Sequence, residues 1–138
     1  MADNLSDYLE NKLLEHTVGK TSYTMPGTVY VGLATASPAD DYSGSAYELG
    51  TTGSGYSRKA AVGTAWNSAS GGTITTAAAI DFGTATADWG TVTHGLISDS
   101  PTRAAGNLLW HGALGTPKIV QSGDTFQIPA GSLKLSMA

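Results

Sequence analysis

The residue types able to do chemistry are few in this chain and thinly spread. It has three histidines, His16, His94 and His111, and no cysteine. Disulfides, thiolate zinc sites and thiol nucleophiles are therefore excluded. An imidazole metal site needs two or three converging ligands, and no HxH, HExxH or His-rich tract occurs. His94 and His111 are the pair a fold can bring together, because one polar turn, SDSPTRAAGN, joins the segments that carry them. Acid–base catalysis needs positioned carboxylates. Asp40, Asp41, Asp81, Asp88, Asp99 and Asp124 all fall in loops or at the ends of alternating runs, where Asp also makes turns and caps. Gly53-Ser54-Gly55 and Gly44-Ser45 lack the flanks of a nucleophile elbow. Neither a GxGxxG nor a P-loop pattern is present. The Ala39-Asp40-Asp41 loop offers oxygen ligands, but not at EF-hand spacing. Trp66, Trp89 and Trp110 have faces that stack on sugars, yet Trp89 and Trp110 sit in strand-like segments where packing is the commoner use. The set predicts a protein that binds or builds: no enzyme, no metal and no cofactor.

The elements that must position these residues follow from composition and periodicity. The 138 residues fit one domain with a real core. Charged residues make 13% of the chain, about half the usual share. Gly, Thr, Ala and Ser replace them, which favours short strands and tight turns over long solvated helices. Seven basic and 11 acidic residues give a formal charge of −4. The basic residues are scattered, so there is no basic face for nucleic acid. The opening MADNLSDYLENK is polar and lacks the apolar segment of a signal peptide. No apolar run reaches the length of a membrane span. Synthesis inside the cell is the expectation, with neither nucleic acid nor membrane as partner.

Residues 4–18 predict the one clear helix, amphipathic, with Leu5, Tyr8, Leu9, Leu13 and Val18 on one broad face. Asp3 or Asn4 is the expected N-cap and Gly19 the stop. A helix this short needs something to pack on. Residues 1–20 thus read as a docking element, set either on its own domain or on a neighbouring subunit. Beyond Pro26-Gly27 the period changes to two. Val29, Val31 and Leu33 point one way, and further strands are expected at 56–62, 72–76, 79–82, 89–98, 107–114, 118–121, 125–128 and 133–137. In ADWGTVTHGLIS (87–98), Trp89 anchors one end and Val92, His94 and Leu96 share a face. Strands at short regular spacing predict a mainly β chain. Residues 21–138 form a single β-sandwich or jelly-roll-like domain, with an exposed loop at 37–55. Leu5, Tyr8, Leu9, Leu13, Trp89 and Trp110 are the candidate interface residues.

Several segments taken in order resemble a widespread family of small tailed-bacteriophage virion proteins, often labelled tail-fibre-like. They are DYLENKLLEH, TVYVGLATASP, ATADWGTVTHGLI, GNLLWHGAL and SGDTFQIPAGSLKLSM. The resemblance covers nearly the whole chain and is weakest over residues 39–55. It implies a non-catalytic structural part of the virion, made in the host bacterial cytoplasm. Collagen-like repeats, heptads and β-helical repetition are absent from the sequence. The expectation is therefore a capsid decoration (cement) protein that binds the major capsid protein and itself, as a homotrimer. The alternative is a tail-fibre-like or adaptor protein that binds tail proteins and a host receptor.

Overall fold

The computed structural model describes residues 4–38 and 47–137. Nine strands, one α-helix and a single 3-10 turn at Gly63–Ala65 account for its regular structure. The chain is mainly β, with 41% strand and 11% helix, and its antiparallel sheets form a sandwich-like arrangement.

The helix, α1, runs Asp7–Thr17, three residues shorter at its start than predicted. The cap is Ser6 rather than Asp3 or Asn4. Its Oγ accepts the Leu9 N–H at 3.2 Å and donates to the Leu108 carbonyl. Asn4 and Leu5 leave the helix to form a short strand, β1 (Asn4–Leu5), paired to His111 and Trp110. Sheet pairing satisfies their backbone, and a Ser at the boundary satisfies the first orphan donor of the helix. Gly19 ends the helix as expected, at φ +75°, and the Lys20 N–H folds back onto the Glu15 carbonyl. The face is narrower than its periodicity suggests. Leu9 is buried, Leu5, Tyr8 and Leu13 are half-buried, and Val18 is 77% exposed.

The main sheet has the order β1-β7-β6-β2-β3, with β2 at Val29–Ala34, β3 at Lys59–Ala61, β6 at Gly90–Ser98 and β7 at Leu108–Val120. Two smaller pairs complete the sandwich. One joins β5 (Ile80–Thr84) to β8 (Thr125–Ile128), the other β4 (Thr73–Thr75) to β9 (Lys134–Ser136). Val31, Leu33, Val92, Ile97, Leu109 and Val120 meet Phe82, Phe126, Ile128 and Leu135 in one core. Tyr56 stacks on Phe82 at 6.2 Å and meets the edge of Trp89 at 5.8 Å, offset and T-shaped geometries that aromatic pairs favour.

Two sequence expectations fail here for one reason. The runs at 107–114 and 118–121 are a single strand, β7. The Val92–Lys118 and His94–Ala113 pairings leave Leu114, Gly115, Thr116 and Pro117 bulged against Thr93 alone. Extra residues in a ladder break the alternation. Val92 consequently enters the main core, whereas Leu96 joins Ala34 and Leu108 in a small second cluster, and His94 is half-exposed. β2 is buried on both sides along Val31–Ala34. Gly32 makes that possible, since a Cβ there would stand 2.8 Å from Leu96 Cδ1 and 2.9 Å from the Tyr56 hydroxyl.

Candidate interaction surfaces

A buried polar construction, among the described residues, draws in Glu48 from the segment that sequence reading expected as an exposed loop. Residues 39–46, including Asp40 and Asp41, lie outside the described part. Past them, Tyr47 and residues 50–53 are exposed, but Glu48 and Leu49 turn inward. Glu48 bridges to Ala34, and the Leu49 N–H donates to the Leu33 carbonyl at 3.1 Å. This brings Glu48 inside, at 4% exposure, facing Arg58 at 6%. Arg58 grips it with two bonds, Nε to Oε1 at 2.8 Å and Nη2 to Oε2 at 2.9 Å. Its remaining nitrogen, Nη1, donates to the carbonyls of Ser100 and Ala105. The Tyr56 hydroxyl donates to Glu48 Oε1 at 2.8 Å and accepts the Leu33 N–H at 3.0 Å. Burial, then the Glu48 charge, hold the Tyr56 phenol well above its ordinary pKa. It therefore remains a donor. Arg103 closes the construction from the other side, donating to the carbonyls of Leu49 and Glu48 at 2.8 and 2.9 Å.

A forked guanidinium matches a carboxylate in two parallel bonds. Here it also fastens the turn at 99–107 to the segment 47–58. Sequence reading named none of Glu48, Tyr56, Arg58 and Arg103. The available signal was slight. In a chain this poor in charge, one Glu and one Arg flank the Gly-rich run LGTTGSGYS.

The candidate catalytic residues are occupied as builders of turns. Asp81 accepts the Gly83 N–H, Asp88 the Ser122 N–H and Asp124 the Gln121 N–H. Asp99 holds both the backbone N–H and the side-chain amide of Asn107. The Ser54 hydroxyl donates to the Gly50 carbonyl and accepts the Tyr56 N–H. Leu96 pairs with His111 and Ala113 with His94, so the two histidines sit diagonally across β6 and β7. Burial first, and His111 second, lower the His94 pKa. His94 Nδ1 lies 2.7 Å from the Thr93 hydroxyl. Among the described residues no group of three metal-ligating side chains converges, and no helix is long and apolar enough to cross a membrane.

The six interface candidates separate by burial. Leu9 and Trp89, each 6% exposed, belong to the chain's own core. Trp89 Nε1 donates to the Ser54 carbonyl at 2.8 Å, and its N–H to the Val120 carbonyl. Leu5, Tyr8, Leu13 and Trp110 pack against that core with part of each side chain outside. Leu5 and Leu13 also line an open groove of about 300 Å³ with Leu14, Glu10, Thr17 and Met137. Leu14 is 64% exposed and Met137 53%. These two residues, which sequence reading did not single out, complete the apolar surface beside α1. Trp66 is half-buried, its Nε1 bonded to the Ala61 carbonyl at 3.3 Å.

Comparison with known proteins adds one finding. The model of the family described as podophage GP4 fiber I protein gp80 matches residues 4–136. No curated protein matches the chain.

Proposed function

Because the chain belongs to the podophage GP4 fiber I protein gp80 family, a family of phage fibre structural proteins, we propose that it is a non-enzymatic subunit of the fibre apparatus of a phage tail. The match over residues 4–136 carries this reading. The geometry agrees with it. Asp81, Asp88, Asp99 and Asp124 hold turns, and the Glu48–Arg58 pair fastens one segment to another. A virion component works through contact surfaces, and among the described residues one open apolar groove lies beside α1. Its partners on this reading are tail proteins and further copies of itself, assembled after synthesis in the host bacterial cytoplasm.

A head-decoration role is the competing reading. In it the chain clamps neighbouring copies of the major capsid protein by burying apolar area, worth roughly 25 cal/mol per Å² before the costs of association. The absence of fibre-like repetition from the sequence favours it. Copy number in purified particles separates the two, measured by quantitative mass spectrometry against the major capsid protein. A count at the level of other tail proteins is expected. A count comparable to the capsid protein overturns the tail assignment in favour of decoration.

A further inference from the structure

We propose that the N-terminal arm, residues 4–23, is exchanged between neighbouring copies, each arm seating on the β7 edge of the next chain. The chain itself shows what fits that seat. Asn4 and Leu5 pair with His111 and Trp110, the Ser6 N–H donates to the Leu109 carbonyl at 2.9 Å, and the Ser6 hydroxyl donates to the Leu108 carbonyl. Leu9, 6% exposed, seals the core beside them. A second copy carries the same arm and makes the same contacts from outside. Past the helix, the arm's backbone bonds return to the arm. The Lys20 and Thr21 N–H groups both donate to the Glu15 carbonyl, and the Tyr23 N–H donates to His16 Nδ1 at 3.0 Å. Residues 4–23 thus form one unit that moves without breaking its own turn.

A hinge joins this unit to the domain. Thr24, Met25 and Gly27 are exposed, and among the described residues no hydrogen bond ties Met25, Pro26 or Gly27 to the domain. Pro26 fixes its own φ and holds Met25 toward extended backbone, so the stretch is a strut and not a tight turn. The strut leads into β2, where Tyr30 pairs with Ser98, and Ser98 in turn with Leu108. The seat and the start of β2 therefore lie at one end of the sheet, two strand spacings or roughly 10 Å apart. Residues 24–28, fully extended, span at most about 17 Å. That reach serves a neighbour's seat as well as the chain's own when two copies touch. Exchange of an identical element keeps the contacts of the seated arm, which makes it a low-cost route to association. It also places Leu14, Val18 and Met25, which are 64%, 77% and 80% exposed, between the two bodies. The exchange specifies the self-contact of the fibre reading and rests on that reading only for where it operates. Copy number decides the place in the particle, whereas crosslinking of the isolated chain decides the exchange.

The chain has no cysteine, so an engineered disulfide reports the exchange directly. Leu5 and Trp110 are register partners, at a separation that a disulfide can span. One full chain carries Leu5→Cys, a second carries Trp110→Cys, and the two are co-expressed, purified and oxidised. An arm seated on its own domain keeps the two thiols apart, whereas an exchanged arm brings them together. A covalent heterodimer is expected on non-reducing denaturing gels, with peptide mapping placing its bond between positions 5 and 110. The double variant, with both changes in one chain, shows that the bond forms at all. A bond made only within the double variant's own chain, with no heterodimer from the single variants, overturns the proposal. So does the absence of any bond between positions 5 and 110. Deleting Met25, Pro26 and Gly27 leaves the hinge too short to cross β6, and is expected to remove the monomer from sedimentation equilibrium profiles while the circular dichroism spectrum is unchanged. A shortened chain that remains a folded monomer likewise overturns the exchange.

Discussion

The Glu48–Arg58 clasp and the outer face of α1 are opposites in how they use their residues. The clasp takes charged side chains, which belong in water, and buries them to 0% and 1% side-chain exposure. The helix face takes Leu14 and Val18, which belong inside, and leaves them in solvent. Desolvating an ion pair costs several kcal/mol per ion, and the attraction regained only roughly offsets that. The clasp therefore adds little net stability over an apolar pair of the same volume. What it adds is direction: Arg58 reaches the Ser100 and Ala105 carbonyls and Glu48 accepts from Tyr56, which fixes how segments 47–58 and 99–107 meet β2. The helix face is the reverse case. Its exposed apolar area is left uncovered by the rest of the chain, so it adds little to the isolated fold. One region puts polar groups inside, and the other leaves apolar groups outside.

The contrast breaks most visibly at Arg58. Arg58→Ala leaves Glu48 charged, buried and without its guanidinium, and should cost about 3–5 kcal/mol, read as a large drop in the urea midpoint. Glu48→Met combined with Arg58→Met should recover most of that loss. If the double variant is as unstable as the single one, the clasp is a net stabiliser and the contrast drawn above is too sharp. Tyr56→Phe comes next. It strips a donor from Glu48 and an acceptor from the Leu33 N–H, for an expected loss of about 1–3 kcal/mol by thermal denaturation. Ser6→Ala removes the cap of α1 and its tie to the Leu108 carbonyl, at about 1 kcal/mol. Leu14→Ser should shift folding stability by no more than about 0.5 kcal/mol, since surface substitutions seldom do more. A larger loss would mean that the helix face already serves the monomer.

The smallest effect concerns pH. The His94 pKa is lowered in the folded chain, so between the two pKa values the unfolded chain binds more protons. Stability then rises with pH through that window and is lost as pH falls below about 6.5. His94→Asn should flatten this slope when urea midpoints are compared at about pH 5.5 and about pH 7.5.

Legibility in the sequence divided along the same line. The β class, the helix, its Gly19 stop and most strand positions follow from periodicity and turn residues, which are local properties. Leu5, Tyr8, Leu9 and Leu13 were readable as one apolar face. That Leu9 is sealed while Leu14 stays outside was not, because it depends on where β1 and Met137 lie. The bulge at Leu114–Gly115–Thr116–Pro117 was invisible for the same reason, since register is a property of two strands and no single segment contains it. The clasp was the largest omission. Glu48 stands in the stretch that reads as an exposed loop and Arg58 in the expected strand at 56–62, and only the pairing of both segments with β2 shows that the two meet inside.

The long strand β7 has a further consequence. Among the described residues, β1 covers only Trp110 and His111 on its outer side, which leaves the lower half of a 13-residue strand facing outward. Such a margin is a template on which copies add edge to edge into cross-β aggregates. The four-residue excursion interrupts that template. Pro117 offers no N–H to an incoming strand, and Lys118 after it sets a charge where a second copy would place the same charge. The excursion that shifts the β6–β7 register thus also breaks the pairing pattern that this edge could offer to another strand.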